Sequence, residues 1–174
     1  NMSKKEDINV GYSYLPDLQT MQILDWQENS EEVYQFLQNH MALFMDNFMF
    51  GVNYQDSKMD LSYYFELLVR VCQTTKKVVM FLNCDVNKQK FEHIVRACRK
   101  TKEIGFYGCN INWSDTLDFG KNVDYKIKNF DFEGSRDKDG DNGYLGREQF
   151  RNILKAIKEC SLKNSLRKIN VRGC

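Results

Sequence analysis

The sequence predicts an α/β solenoid, with parallel β-strands on a concave face and helices on the convex face. Two observations support this: one short strand pattern recurs along the chain, and amphipathic helical segments separate its copies. The third is composition, because 42% hydrophobic and 28% charged residues in a chain of 174 are typical of a folded domain with its own core.

The strand pattern is clearest in KKVVMFLNCDV (76–86) and TKEIGFYGCNI (101–111), which align on Cys84 and Cys109. Both stretches have apolar residues three and five positions before the cysteine. The same offsets are apolar before each residue that we assign as a repeat anchor: Asn29, Asn53, Cys84, Cys109, Ser135 and Cys174. We therefore expect strands near residues 22–26, 46–50, 77–81, 102–106, 128–132 and 167–171, all in one parallel sheet.

Helical segments with one apolar stripe lie between these strands. FEHIVRAC (91–98) and FRNILKAIKEC (150–160) place apolar residues at i, i+3, i+4 and i+7. LSYYFELLVRVC (61–72) repeats this spacing, and VYQFLQNHM (33–41) follows it less cleanly. SDTLDFGKNVDY (114–125) has Gly120 in its middle, so we expect a short or irregular helix there.

The pattern resembles the leucine-rich repeats of the ribonuclease-inhibitor or cysteine-containing type, whose consensus is LxxLxLxx(N/C)xL. The two quoted stretches match it from the second position on, and Val86 and Ile111 fill its last apolar slot. The chain departs from the family in its few strand leucines and in Lys76 and Thr101, polar residues in the first slot.

This resemblance implies a horseshoe segment of about six repeats over residues 21–174, with a flank or cap at 1–20. It implies an insertion near 136–147, and a C-terminal end without a capping repeat, so that the chain is expected to be part of a longer array. It also implies that each anchor side chain hydrogen-bonds to the buried backbone of the sharp turn after its strand.

Composition narrows the compartment and the ligand classes. A net charge of +1 argues against a general polyanion binder, so we expect no nucleic acid partner. No apolar run approaches the roughly 20 residues that span a bilayer, and we expect no membrane partner. Six cysteines without a CxxC pair favour reduced thiols, no zinc site and an intracellular, cytoplasmic protein, whether free, cytoskeletal or bound in an assembly. Cys72, Cys98 and Cys160 fall at helix ends and are expected to be buried.

One loop has the spacing of a calcium site. The carboxylates at positions 1, 3, 5 and 12 of an EF-hand loop would be Asp137, Asp139, Asp141 and Glu148. The glycine required at position 6 is Asn142, and the preceding segment reads as a strand instead of a helix. A solvated acidic turn is the favoured interpretation, with weak calcium binding as the alternative.

We expect no catalytic residues and no cofactor. His40 and His93 lie in predicted helices without a Cys or His at ligand spacing. The sequence contains no GxSxG, P-loop or GxGxxG motif. A non-enzyme is therefore the prediction.

Strand residues between the buried slots should point out of the concave face. A central column is predicted at Asp25, Met49, Met80, Gly105, Asp131 and Asn170, and a neighbouring column at Gln27, Gly51, Leu82, Tyr107, Glu133 and Arg172. The expected partner-binding patch consists of Met49, Val52, Val78, Met80, Leu82 and Tyr107. The alternative is that another segment of a longer parent chain covers this patch.

These features favour a non-enzymatic protein–protein interaction scaffold that binds through its concave face, as a segment of a longer chain or a subunit of a large assembly. The expected partners are proteins, which include further repeats of the same parent chain. The alternative is the set of substrate-recognition repeats of an F-box-type ubiquitin-ligase adaptor. No F-box precedes the repeats in this sequence, so the alternative requires an additional N-terminal segment.

Overall fold

The structure is a computed structural model that describes residues 11–24, 30–52, 58–112, 115–134 and 145–172. A seven-stranded sheet forms its centre, and a second sheet of three short strands lies beside it. In the middle strands, buried and half-buried residues alternate: Phe48 and Phe50 are buried, whereas Asn47 and Met49 are half-buried. Helices therefore cover one face of the large sheet, and the other face is open.

The large sheet has the strand order β1-β2-β3-β5-β7-β9-β10. Its strands are β1 Tyr12–Leu15, β2 Thr20–Ile23, β3 Met45–Gly51, β5 Thr75–Leu82, β7 Glu103–Tyr107, β9 Asn129–Glu133 and β10 Lys168–Arg172. All neighbours from β2 to β10 pair in parallel, which confirms the predicted mixed α/β fold with a mostly parallel sheet. β1 was not predicted and pairs with β2 in the antiparallel direction.

The register confirms the predicted alignment of the later strands but corrects the first. Met21 and Ile23 pair with Phe48 and Phe50, so they occupy the slots that the sequence assigned to residues 24 and 26. A bulge in β5 makes a second correction. Met45 pairs with Thr75, and Asn47 with Val78, so one extra residue lies in β5 at this point. Buried Thr75, rather than exposed Lys76, therefore fills the first slot of this strand.

Five helices connect the strands: α1 Glu31–His40, α2 Phe65–Thr74, α3 Lys88–Ala97, α4 Arg147–Lys158 and α5 Leu162–Ser165. Two of them begin at a capping side chain. The Ser30 hydroxyl accepts a hydrogen bond from the Val33 N–H (3.3 Å), and the Asn87 side chain accepts one from the Lys90 N–H (2.8 Å). One-turn 3₁₀ helices form at Pro16–Leu18 and Ser62–Tyr64.

A row of phenylalanine rings forms the centre of the core. Phe81, Phe106 and Phe132 come from adjacent strands, and their rings stack nearly parallel with centroids 5.8 Å apart in each pair. Phe91 of α3 packs against this row from the helical side, and its ring centroid lies 5.2 Å from that of Phe106. Neighbouring strands thus share one continuous core.

Residues 115–128 precede β9 and contain no helix, whereas the sequence predicted a short or irregular helix there. Alternate apolar side chains are nevertheless buried at Leu117, Phe119, Val123, Tyr125 and Ile127. The backbone is held from both sides: the Asp118 N–H donates to the Glu92 carboxylate of α3 (2.7 Å), and the Tyr125 N–H donates to the Ser161 hydroxyl (3.0 Å).

The second sheet contains β4 Met59–Asp60, β6 Cys84–Asn87 and β8 Asn110–Asn112, all parallel. These strands begin where the chain has turned away from the large sheet. The small sheet therefore pairs part of the turn backbone that the repeat anchors were expected to hydrogen-bond.

Candidate functional site

The open face of the large sheet carries its side chains in columns that cross the strands. The observed central column is Gln22, Met49, Met80, Gly105, Asp131 and Asn170. The neighbouring column contains Gly51, Leu82, Tyr107, Glu133 and Arg172. The predicted first members, Asp25 and Gln27, were wrong, because the register of β2 places Gln22 and Leu24 at these positions. Residues 25–29 themselves lie outside the described residues.

Four of the predicted partner-binding residues lie together on this face and are half-buried: Met49, Val78, Met80 and Leu82. We call them the apolar patch. Val52 does not belong to it, since only 5% of its surface is exposed. Its N–H donates to the Leu82 carbonyl (3.2 Å), and its carbonyl accepts from the Asn83 side chain (2.7 Å), so it is already part of the turn.

Polar side chains from three strands meet beside the apolar patch, and we call them the Asp131 cluster: Tyr107, Asp131, Glu133 and Arg172. The Tyr107 hydroxyl donates to Asp131 Oδ2 at 2.8 Å. Arg172 Nη2 lies 3.1 Å from the same Asp131 oxygen and 3.5 Å from the Glu133 carboxylate. The cluster thus links β7, β9 and β10 through one carboxylate.

Asp131 is the unusual member of the cluster. It is 4% exposed, and its second oxygen, Oδ1, is buried and has no hydrogen-bond partner among the described residues. Burial and the Asp131 carboxylate raise the pKa of Tyr107, so this phenol remains a hydrogen-bond donor at neutral pH. The same carboxylate raises the pKa of Arg172. A buried acceptor without a donor is unfavourable, so the bonds that Tyr107 and Arg172 make to Oδ2 have to offset its cost.

A glycine makes this arrangement possible. A Cβ atom on Gly105 would lie 3.0 Å from Tyr107 Cε1, so the tyrosine ring passes over the space that a side chain would occupy. The ring can therefore reach across to β9. A glycine within a predicted strand is the sequence signal that could have indicated this close approach.

The anchors Cys84 and Cys109 occupy equivalent positions. The Cys84 thiol lies 3.3 Å from the Leu82 carbonyl and 3.9 Å from that of Phe50 in the neighbouring strand. The Cys109 thiol lies 3.4 Å from the carbonyl of Phe81, the residue that pairs with Phe50, and 3.7 Å from its own strand. The other assigned anchors lie outside the described residues: Asn29, Asn53, Ser135 and Cys174.

The residue before three of the six anchors carries a signal that the sequence analysis missed. Asn83, Gly108 and Gly134 all have positive φ, at 54°, 68° and 61°. The N–H of each donates to the carbonyl of the last residue of the next strand, at 2.8 Å in all three cases. Asn and Gly are the residues that adopt this conformation most readily. The dipeptides Asn83-Cys84, Gly108-Cys109 and Gly134-Ser135 could therefore have been recognised in the sequence as turn signals.

The calcium hypothesis falls largely on residues outside the described ones, which include Asp137, Asp139 and Asp141. Glu148 lies in the first turn of α4, 3.9 Å from the Arg151 guanidinium. Within the described ranges, no group of three or more His, Cys, Asp or Glu side chains could hold a metal ion. Weak calcium binding in this loop thus stays a prediction.

The thiols and histidines outside the open face have structural contacts. The hydrogen bond between Cys72 and Cys98, together with burial, raises the pKa of the Cys72 thiol well above its ordinary value. Burial and the neighbouring Cys109 do the same for the pKa of Cys84. Such thiols stay neutral and are poor nucleophiles. His40 Nδ1 lies 2.6 Å from the Phe36 carbonyl, and the His93 ring lies 6.0 Å from that of Phe65.

Two broader findings complete the description of the site. In the part of the chain that the structure describes, no helix has the length and apolarity needed to cross a bilayer. Comparison of the chain with protein-family models, with curated proteins and with solved structures finds no match.

Proposed function

We propose that this chain is a non-enzymatic protein–protein interaction module that binds its partner through the open face of the large sheet. The observation that carries this proposal is that the apolar patch and the Asp131 cluster lie side by side on the open face, where Leu82 of the patch pairs with Tyr107 of the cluster. The two groups supply methionine, tyrosine and arginine side chains, which are enriched at the centre of protein interfaces.

We further infer that the sheet and its helices belong to a leucine-rich-repeat-like solenoid, with the open face as its concave surface. The support is repetition in detail. The left-handed residue, its hydrogen bond to the next strand and the thiol at the anchor recur with the same geometry from one strand to the next. Stacked repeats generate such translational equivalence, whereas a sheet of unrelated strands has no reason to do so.

The apolar patch sets one requirement on the partner. Met49 and Met80 are flexible and polarizable, so they can adapt to an apolar side chain of varied shape. The patch residues are half-buried already, and a partner would complete their burial at roughly 25 cal/mol per Å² of apolar surface.

The Asp131 cluster sets the second requirement, which is a hydrogen-bond donor that reaches the half-exposed Glu133 carboxylate at the surface of the cluster. A basic side chain fits best, because the cluster combines the Asp131 and Glu133 carboxylates with one guanidinium from Arg172. A hydrogen bond to a charged group contributes about 1.5–3 kcal/mol. β5 and β9 are separated by one strand, so the two subsites are about 10 Å apart. An extended partner segment spans that distance with about three residues.

The test is selection of binders from a random peptide library displayed on phage, followed by affinity measurement with point variants. Selected peptides should combine an apolar residue with a Lys or Arg about three positions away. Met80→Asp should abolish binding, and Asp131→Asn should weaken it by roughly tenfold or more.

The matched control is Gln73→Asp, which adds the same charge at an exposed position on α2. This variant should bind the selected peptides as the unchanged protein does. If Gln73→Asp removed binding while Met80→Asp did not, the partner site would lie on the helical side, and the proposal would be wrong.

A further inference from the structure

The fold gathers basic side chains along one edge of the large sheet, where the parallel strands begin. These residues occur as short groups along the sequence, and each group directly precedes or starts a strand. All of their side chains are exposed: Lys76, Lys77, Arg99, Lys100, Lys102, Lys126, Lys128, Arg167 and Lys168. We call this the basic edge. A net charge of +1 for the whole chain conceals this concentration.

Backbone hydrogen bonds fix part of the basic edge as a row. The Lys102 N–H donates to the Lys77 carbonyl (3.2 Å), and the Lys128 N–H donates to the Lys102 carbonyl (2.7 Å). The Arg167 N–H then donates to the Lys128 carbonyl (2.8 Å). Cationic residues therefore follow one another on successive strands, at the strand spacing of about 4.8 Å.

Carboxylates neutralise only a small part of this row. Asp46 lies 3.3 Å from Lys77, and Asp124 lies 3.2 Å from Lys126. Among the described residues, Lys100, Lys102 and Arg167 form no salt bridge. The uncompensated positive charge creates a field at this edge that attracts a large anionic surface.

Exposed apolar side chains lie at the same edge. Leu18, Leu43 and Phe44 are 62%, 39% and 59% exposed, although residues of this size are normally buried. They precede β2 and β3, whose starts are tied together by a hydrogen bond from the Asp46 N–H to the Gln19 carbonyl (2.8 Å). The Phe44 ring has the ammonium groups of Lys76 and Lys100 at 5.5 and 5.7 Å from its centroid.

We propose that the basic edge, together with Leu18, Leu43 and Phe44, docks the protein on the surface of an anionic phospholipid bilayer. Cations bind the lipid headgroups, and the apolar side chains enter the boundary of the acyl region, so the edge supplies both signals that stable peripheral attachment needs. This differs from spanning a membrane, and it reverses the expectation of no membrane partner. That expectation considered only apolar run length and net charge.

The apolar members favour a lipid surface over a nucleic acid. Single-stranded nucleic acids bind to aromatic platforms with accessible ring faces. At this edge two of the three exposed apolar residues are aliphatic, and lysine ammonium groups already lie over the Phe44 ring. Leucine side chains gain nothing from contact with phosphate groups, but they are stabilised in hydrocarbon.

The experiment is co-sedimentation of the 174-residue chain with vesicles of phosphatidylcholine alone and with an equimolar mixture of phosphatidylcholine and phosphatidylserine. The protein should sediment with the anionic vesicles only, and added salt should weaken binding. Lys100→Gln with Lys102→Gln should lower the affinity roughly 25-fold, at about fivefold for each cation. Phe44→Ala should lower it about fivefold because it removes an inserted side chain.

The matched control is Arg147→Gln with Arg151→Gln, which removes the same charge from exposed positions in the first turns of α4, the end of this helix that is farther along the chain from the start of β10. This variant should bind the vesicles normally, and circular dichroism should show all variants folded. Parallel titrations use a single-stranded RNA oligonucleotide and polyglutamate. Tighter binding to either one, no binding to anionic vesicles, equal losses in both double variants, or an unchanged affinity of Phe44→Ala would each overturn the proposal.

Discussion

Phe106→Ala should be among the most destabilising substitutions in this chain. The side chain is fully buried, and its ring stacks between those of Phe81 and Phe132 at 5.8 Å on each side, with Phe91 at 5.2 Å. Replacing a core phenylalanine with alanine costs about 3–5 kcal/mol. The upper half of this range is expected, because each aromatic pair contributes about 0.5–1.5 kcal/mol beyond burial. The neighbouring rings are held by their own strands, so the cavity cannot collapse easily.

The measurement is urea unfolding of Phe106→Ala beside Tyr107→Ala, the adjacent residue whose side chain lies on the opposite face. Tyr107 is half-buried and loses one hydrogen bond to Asp131, so its truncation should cost about 2 kcal/mol or less. A loss of 4 kcal/mol corresponds to a Tm decrease of roughly 8–16 °C for a domain of this size. If Tyr107→Ala proved the more damaging change, the assigned face of β7 would be wrong, since a shift of one residue exchanges the two faces.

Three further predictions concern turns and loops. Gly108→Ala should destabilise the fold by more than Gly134→Ala in thermal melts: both have positive φ, but a Cβ on Gly108 would lie 2.3 Å from the Asn83 side chain, whereas the nearest neighbour of one on Gly134 would be at an ordinary contact distance of 3.9 Å. The left-handed conformation alone costs about 1 kcal/mol, so equal losses would show that Asn83 moves freely. Hydrogen bonds from Ser62 lower the pKa of Asp60, so the contribution of Asp60 to the free energy of unfolding is present at neutral pH and is lost as the pH falls below about 4. Asp60→Asn should therefore make the free energy of unfolding less dependent on pH in this range, and an unchanged pH profile would contradict the assignment. Calorimetry should find weak or no calcium binding by residues 137–148, and micromolar binding abolished by Asp139→Ala would show that this prediction is wrong.

The alternation of apolar residues was sufficient to predict the strands of the large sheet from β3 onward, because each contains one clear apolar pair. The short strands β4, β6 and β8 of the second sheet were not predicted. β2 is different, since Met21 and Ile23 alternate just as Leu24 and Trp26 do. Local sequence cannot choose between two apolar pairs separated by three residues, and pairing with β3 decides between them. β1 was missed although Tyr12 and Tyr14 alternate before a turn that contains Pro16, which is a hairpin signal.

The candidate site was predictable only in part. The columns of the open face follow from strand register, so Met49, Met80 and Leu82 could be placed side by side from the sequence. The same columns place Asp131 near Tyr107, Glu133 and Arg172, but the hydrogen bonds from Tyr107 and Arg172 to the Asp131 carboxylate could not be predicted, because no local pattern indicates that the tyrosine ring crosses Gly105. The bulge in β5 could not be predicted either. A fixed offset from Cys84 places Lys76 in the first apolar slot, whereas the extra residue in β5 places Thr75 there, in the core.

The two edges of the large sheet differ in strand direction, and this gives the sheet a polarity. At one edge β1 runs antiparallel to β2, so a strand added there would meet a reversed neighbour. At the other edge β10 continues the parallel series and is hydrogen-bonded only to β9 among the described strands. Its Val171 side chain is 36% exposed on the side where the other strands bury theirs. A parallel strand can therefore continue the series from β2 to β10 at the β10 edge, whereas a strand that paired in parallel with β1 would run against that series.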